Sequence, residues 1–234
     1  HFLSGVMFAG RDGATRHFGT ADGLPDPLVL DLSSVPGTRG ARTWVATNDG
    51  AALVDVDAGV LTTVTSDDGS SPGAVDRILA LPDGGAILVF DDFDSKWFLD
   101  PDDWPEREVL HLRWVSPAGE VGLPVDVPAD DVLDLVADGE GVVWLATDAG
   151  LFRSAGVGLV HVPAPLPEFG APLRHVATDP AGDRVWAALD GGEDEPAYLL
   201  VHDPRRGSWE TLTAADGLPS AIRICKEMEQ YDIF

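Results

Sequence analysis

The sequence predicts an all-β chain of short four-stranded antiparallel units repeated about five times, the pattern of a β-propeller. Three observations predict it. A phrase recurs: Trp44-Val-Ala-Thr-Asn-Asp-Gly50 returns as Trp144-Leu-Ala-Thr-Asp-Ala-Gly150, in a worn copy as Trp186-Ala-Ala-Leu-Asp-Gly-Gly192, and faintly as Met7-Phe-Ala-Gly-Arg-Asp-Gly13. A second phrase, Thr20-Ala-Asp-Gly-Leu-Pro25, returns as Ala214-Ala-Asp-Gly-Leu-Pro219. Self-similarity at a spacing of tens of residues marks a repeat architecture. The 234 residues also hold 26 glycines and 18 prolines, yet 44% of the chain is hydrophobic and evenly spread. Gly and Pro together average roughly 12% of a typical protein. That excess, without apolar depletion, reads as many short strands joined by many turns. Finally, turn residues punctuate apolar runs every eight to twelve residues or so, which is the spacing of propeller blades.

The first complete unit spans four runs, residues 28–34, 43–47, 51–55 and 60–65. Asn48-Asp49-Gly50 between two apolar runs is a hairpin turn, because Asn and Gly tolerate the positive φ that a tight turn needs. Asp22-Gly23 and Asp216-Gly217 are turn chemistry of the same kind. A divergent second unit takes residues 75–81, 86–90, 109–115 and 121–124 and carries an insertion over 91–108. The third takes 131–136, 142–147, 150–153 and 158–162, and the fourth 173–177, 184–188, 198–202 and 208–212. Pieces of a fifth unit stand at the two ends, residues 6–10 and 15–18 at one and 220–224 at the other. Sharing one blade between the termini would remove the exposed strand edges that invite aggregation. The repeats thus define one domain over residues 1–224, followed by a tail, 225–234, of different composition. Trp44, Trp144 and Trp186, recurring at equivalent positions, are packing residues between blades.

Forty acidic residues against 15 basic give a net charge of −25. Phosphate backbones and anionic lipid are held by Lys and Arg clusters, so nucleic acid and anionic lipid are poor partners, and no membrane insertion is expected within this chain. A basic protein surface or a cationic ligand suits the charge better. One cysteine, Cys225, rules out an intrachain disulfide framework. No apolar run approaches the length of a membrane helix. The chain begins at His1 in mid-repeat, so further sequence is expected upstream, and the compartment is left open.

The order of inner strand, Asp-Gly turn, Trp-hydrophobic-Ala-Thr, second Gly turn and a strand ending before Asp-Gly-Leu-Pro resembles the two-component regulator propeller repeat. The resemblance covers residues 6–224 and is strongest over 20–50, 131–152 and 173–219. It implies a propeller, commonly of seven blades, of the kind found in extracytoplasmic sensor regions of hybrid two-component kinases. Four complete blades and one shared by the termini fall short of seven, so the chain is either a smaller ring or a fragment of a longer one. If it belongs to a sensor kinase it is extracytoplasmic; if it is an interaction scaffold it is cytoplasmic.

Catalytic motifs are missing from the sequence: there is no Gly-x-Ser-x-Gly, His-Glu-x-x-His, phosphate-cradling glycine loop or Cys-x-x-Cys. Aligning the innermost strands places Asp31, Leu79, Asp134, His175 and Cys225 at equivalent positions, of which Asp31, Asp134 and His175 are candidate ligand-binding residues. A one-residue slip of register would scramble that set. His175 with Asp134 also keeps open a lyase or hydrolase acting at the mouth of the channel. His17, His111, His161 and His202 lack metal-ligand spacing and read as packing or surface residues. The insertion breaks the repeat, and loops on a rigid scaffold commonly carry function. Its Trp97 and Trp104, beside several carboxylates, suit a small polar ligand with apolar faces. Its Asp92, Asp94, Asp100 and Asp102 could collect calcium through oxygen ligands, although the full calcium-loop spacing is absent. No other cofactor is expected. The sequence therefore predicts a non-enzymatic propeller that binds a small polar ligand or a protein partner, with an acidic interaction scaffold and a propeller enzyme as alternatives.

Overall fold

The computed structural model describes residues 5–10, 13–64, 73–90, 110–156, 158–165, 173–179, 183–189 and 198–218. They fall into two compact units, His1–Asp130 and Asp131–Phe234. The fold is all-β and built of four-stranded antiparallel propeller blades, as the repeat predicts.

The first unit opens with a two-stranded sheet, β1 (Val6–Ala9) and β2 (Thr15–Phe18). A complete blade follows: β3 (Val29–Ser34), β4 (Arg42–Thr47), β5 (Gly50–Asp55) and β6 (Gly59–Val64). The next has β7 (Val75–Ala80), β8 (Ala86–Phe90), β9 (His111–Val115) and β10 (Val125–Asp126). In the second unit, one blade is β11 (Val132–Ala137), β12 (Val143–Thr147), β13 (Gly150–Ala155) and β14 (Gly158–Val162). The other is β15 (Leu173–Thr178), β16 (Val185–Leu189), β17 (Tyr198–Asp203) and β18 (Ser208–Leu212). Every complete blade pairs its strands in chain order, because connections of a few residues can only return a strand alongside its predecessor.

The recurring phrase makes the second hairpin of a blade. Thr47 pairs with Gly50, and Thr147 with Gly150. Each threonine hydroxyl donates to the carbonyl of that glycine at 2.8 Å and accepts the N–H of the residue just before it. The glycines sit at φ 98° and 119°, where a Cβ is strained, and at Gly150 a Cβ would also stand 3.1 Å from His161 Nε2. Asp-Gly-Leu-Pro closes a single 3-10 turn, in which Asp22 accepts the Gly19 N–H and Asp216 the Thr213 N–H, both at 2.9 Å. Gly23 and Gly217 follow at φ 108° and 95°.

Blades pack face to face. Trp44, Ala46, Ala51, Leu53 and Val64 meet Val75, Ile78, Ala80, Leu88 and Phe90 of the next blade. In the second unit Trp144, Ala146, Leu151 and Val162 meet Leu173, Val176, Val185, Ala187 and Leu200. Trp44 and Trp144 are fully buried, and their small neighbours Ala46 and Ala146 let the blades approach. Trp186 is only half-buried. The β1–β2 sheet contributes Val6 and Phe18 to a cluster with Leu24, Val45, Ala52 and Val54.

Two expectations are corrected. The outer strand of the second blade is Val125–Asp126, with Val121 making only a single bridge to Val115, instead of a strand over 121–124. Gly122 and Pro124 within that run interrupt a ladder. The inner-strand alignment also slips, as described below. The expected strand at 220–224, the tail 225–234 and the insertion 91–108 lie outside the described residues.

Candidate functional site

The candidate site grows out of a bulge that all four complete inner strands share. Register shifts between Val29 and Asp31, Val75 and Arg77, Val132 and Asp134, and Leu173 and His175. An extra residue in one strand twists it and re-aims the next side chain. The residues just past the bulge oppose Ala46, Val89, Ala146 and Ala188. The second-blade equivalent of Asp31 is therefore Arg77, two residues before the Leu79 that alignment selects.

The two acids act alike. Asp31 accepts its own neighbour's N–H, from Leu32, on Oδ1 at 2.8 Å, and the Ile78 N–H of the next blade on Oδ2 at 3.0 Å. Asp134 accepts from Leu135 on Oδ1 at 2.9 Å and from Val176 of the next blade on Oδ2 at 3.0 Å. The inner strand is the edge of its sheet, and its N–H groups have no ladder partner there. Where a blade carries Asp past the bulge, that Asp satisfies its own edge amide. Where it carries Arg77 or His175, the preceding blade's Asp reaches across instead. Ser33 and Thr178 extend the seam, Ser33 Oγ accepting from Ala80 N–H at 2.9 Å and Thr178 Oγ1 donating to the Ala137 carbonyl at 3.3 Å.

Asp134 and His175 are brought together within the second unit: Nδ1 of the exposed imidazole lies 3.6 Å from Oδ2. That is beyond a good hydrogen bond and within reach of a charge interaction when the ring is protonated. Asp31 belongs to the first unit, beside the strand of Arg77. Trp97, Trp104, Asp92, Asp94, Asp100 and Asp102 lie outside the described residues. Among the described residues no group of three or more His, Cys, Asp or Glu gathers for a metal.

The other histidines are packing or surface groups. His17 is exposed. His111 Nδ1 lies 3.0 Å from Asp126 Oδ1, and His161 packs on Phe152 with ring centroids 5.1 Å apart. His202 is the unusual one. It is buried on β17, with Trp144 edge-on at 5.8 Å from the facing blade and Trp209 at 4.4 Å from β18. Burial holds its imidazole below the ordinary value, against the opposing pull of the Ser208 backbone and the Asp203 carboxylate. Asp138 is likewise buried, in the Asp-Gly turn that the repeat sets between inner strand and Trp, where Asp83 and Asp179 make the same kind of turn in their blades. Its Oδ1 accepts the Glu140 and Val142 N–H groups at 2.9 Å, and its Oδ2 accepts Trp144 Nε1 at 3.1 Å. Asp55, at the end of β5, is held below the ordinary carboxyl value, chiefly by the Ala58 and Asp57 N–H groups it accepts.

No family model and no curated protein matches the sequence. Solved structures resemble the fold. Hydrazine synthase of Kuenenia stuttgartiensis superposes with a TM-score of 0.59 at 14% identity, covering 85% of this chain and 51% of that one. An extracellular domain assigned to a hybrid two-component system of B. thetaiotaomicron superposes at 0.58 and 13% identity, covering 90% and 26%. PorZ, a surface component of the type-IX secretion system of Porphyromonas gingivalis, does so at 0.58 and 14%, covering 92% and 32%. At such identities the likeness concerns the fold alone. The chain spans a quarter to a half of the length of these structures. Among the described residues no helix is long and apolar enough to cross a membrane.

Proposed function

We propose that this chain is part of a non-catalytic β-propeller that recognises a small polar ligand or a protein partner, in the manner of an extracytoplasmic sensor or surface module. The observation that carries the reading is the use made of the two repeated acids. Asp31 and Asp134 each spend both carboxylate oxygens on backbone N–H groups, a task of holding blades together that leaves little of either group for moving a proton. The likeness to an extracellular two-component domain and to a secretion-system surface component supports the same reading, as does the recurring Trp-hydrophobic-Ala-Thr and Asp-Gly-Leu-Pro phrasing.

In this reading the recognition groups are the exposed His175 beside Asp134, and the insertion with Trp97 and Trp104. The net charge of −25 favours cationic or amine-bearing ligands, or a basic protein surface. Asp92, Asp94, Asp100 and Asp102 would bind calcium if the insertion needs an ion to shape it.

The test is a thermal-shift series on the 234-residue chain with mono- and oligosaccharides, polyamines, a lysine-rich peptide and calcium chloride. A ligand bound only by the folded state must raise the melting temperature. The expected result is a saturable rise with at least one organic class, lost in Trp97→Ala or Trp104→Ala, and no turnover of lactone or ester substrates. Turnover abolished by Asp134→Asn and His175→Ala would replace the reading with an enzyme. A melting temperature unmoved by millimolar calcium or by chelator would remove the ion.

A further inference from the structure

His202 sits where the two blades of the second unit meet, and nothing in the repeat calls for it. At the same register of the first blade, next to the last residue of its third strand, stands Val54, fully buried. His202 pairs with Val185 on β16 and Trp209 on β18. Its ring stacks on Trp209 at 33° and meets Trp144 of the other blade at 66°. Trp144 is tied down behind it by Asp138. The imidazole is thus a buried plug between two indoles, and its Nδ1 has no hydrogen-bond partner.

We propose that His202 is a proton-operated latch, closing blade β15–β18 against Trp144 when neutral and loosening β17 and β18 when the ring takes up a proton in mildly acidic surroundings. The charges facing it do not favour a cation there. Arg153 on β13 repels it, while Asp203 on β17 attracts it but already accepts the Arg205 and Arg206 N–H groups at 3.0 Å. Val185 on β16 and Trp209 on β18 bring no titratable group, and Asp138 is screened from it by the indole it holds. Trp209 offers some cation–π attraction, worth up to about 2 kcal/mol when desolvated. The Ser208 backbone pulls the same way as Asp203, but burying an imidazolium whose Nδ1–H has no partner costs more, which agrees with the lowered proton affinity noted above.

The sign follows from linkage. The closed state binds fewer protons than the open one, so its advantage is complete above the ordinary value of 6.5 and is lost as pH falls below it. The open population therefore rises between pH 7.5 and 5.5, by as much as about tenfold, which is the limit for a closed ring that takes up no proton in that range. An acidic environment would then open the second unit selectively, as histidine-based sensors do.

The experiment is amide hydrogen exchange on the full chain at pH 7.5 and 5.5, corrected for intrinsic exchange, in the wild type and in His202→Phe, which keeps an aromatic plug. Protection of β17 and β18 is expected to fall severalfold, up to about tenfold, in the wild type, to stay nearly level in the variant, and to change little in β3–β6 of either. If His202→Phe does not fold, His202→Gln takes its place, and direct NMR titration of the wild-type imidazole decides without any variant. An equal loss of protection in wild type and variant, or an imidazole titrating at or above 6.5, overturns the latch.

Discussion

At Thr147 one hydroxyl serves two backbone groups, donating to the Gly150 carbonyl and accepting the Ala149 N–H, and Thr47 does the same in the first unit. Both threonines are fully buried, so a valine of similar shape leaves polar groups without partners and without water. Thr147→Val should therefore lower unfolding free energy by about 1–3 kcal/mol. A denaturant melt checks it: the midpoint should drop with the slope unchanged, and a midpoint that stays put would show the hydroxyl to be idle. The recurrence of Thr beside Trp and Gly was plain in the sequence, as was the turn chemistry of Asp-Gly. Its cause was not, because a hydroxyl clasp and a β-preferring surface threonine look alike until the hairpin closes. His202 was less visible still. A histidine in an apolar strand reads as ordinary packing, and only the approach of two indoles from different strands makes it unusual.

The strand pattern was readable for a physical reason. Short apolar runs between Gly, Asp and Asn turns have one way to pair, with their chain neighbours, and among the described residues sixteen strands fall into four such blades. What the pattern could not supply was register at the inner edge. The shared bulge shifts each inner strand by a residue near its start, and no residue type announces the shift: Leu30, Asp76, Leu133 and Arg174 occupy the bulged position. Leu79 stood in for Arg77 for a different reason: the second blade reads Val75-Asp-Arg-Ile78 and lacks the Val-Leu-Asp-Leu that marks the position at 29–32 and 132–135. The partition by which one Asp satisfies two edges, while the following blade carries Arg or His, was hidden because its donors across the seam are the backbone N–H groups of Ile78 and Val176. The outer edge of the second blade failed for a related reason, since a two-residue strand leaves almost no periodicity to read.

The surface of the whole molecule is set by its charge, −25 over 234 residues. Like charges repel most in the compact state, and salt screens them, with a Debye length falling from ~30 Å at 0.01 M to ~3 Å at 1 M. The melting temperature should rise as sodium chloride increases from about 0.01 M to 0.5 M; a fall would mean that exposed ion pairs such as Arg42–Asp55 and Arg205–Asp183 outweigh the repulsion. The most direct test of the account is the melting temperature of Asp31→Asn and Asp134→Asn, measured singly by calorimetry. A clasp that joins blades stabilises them, so removing an acceptor oxygen should cost about 1–3 kcal/mol, a drop of roughly 2–4 °C for each kcal/mol in a domain of this size. An acid kept for chemistry or ligand capture behaves oppositely, because functional groups are commonly held at the expense of stability. A fall in both variants is the predicted result, and a melting temperature unchanged or raised in either would contradict it.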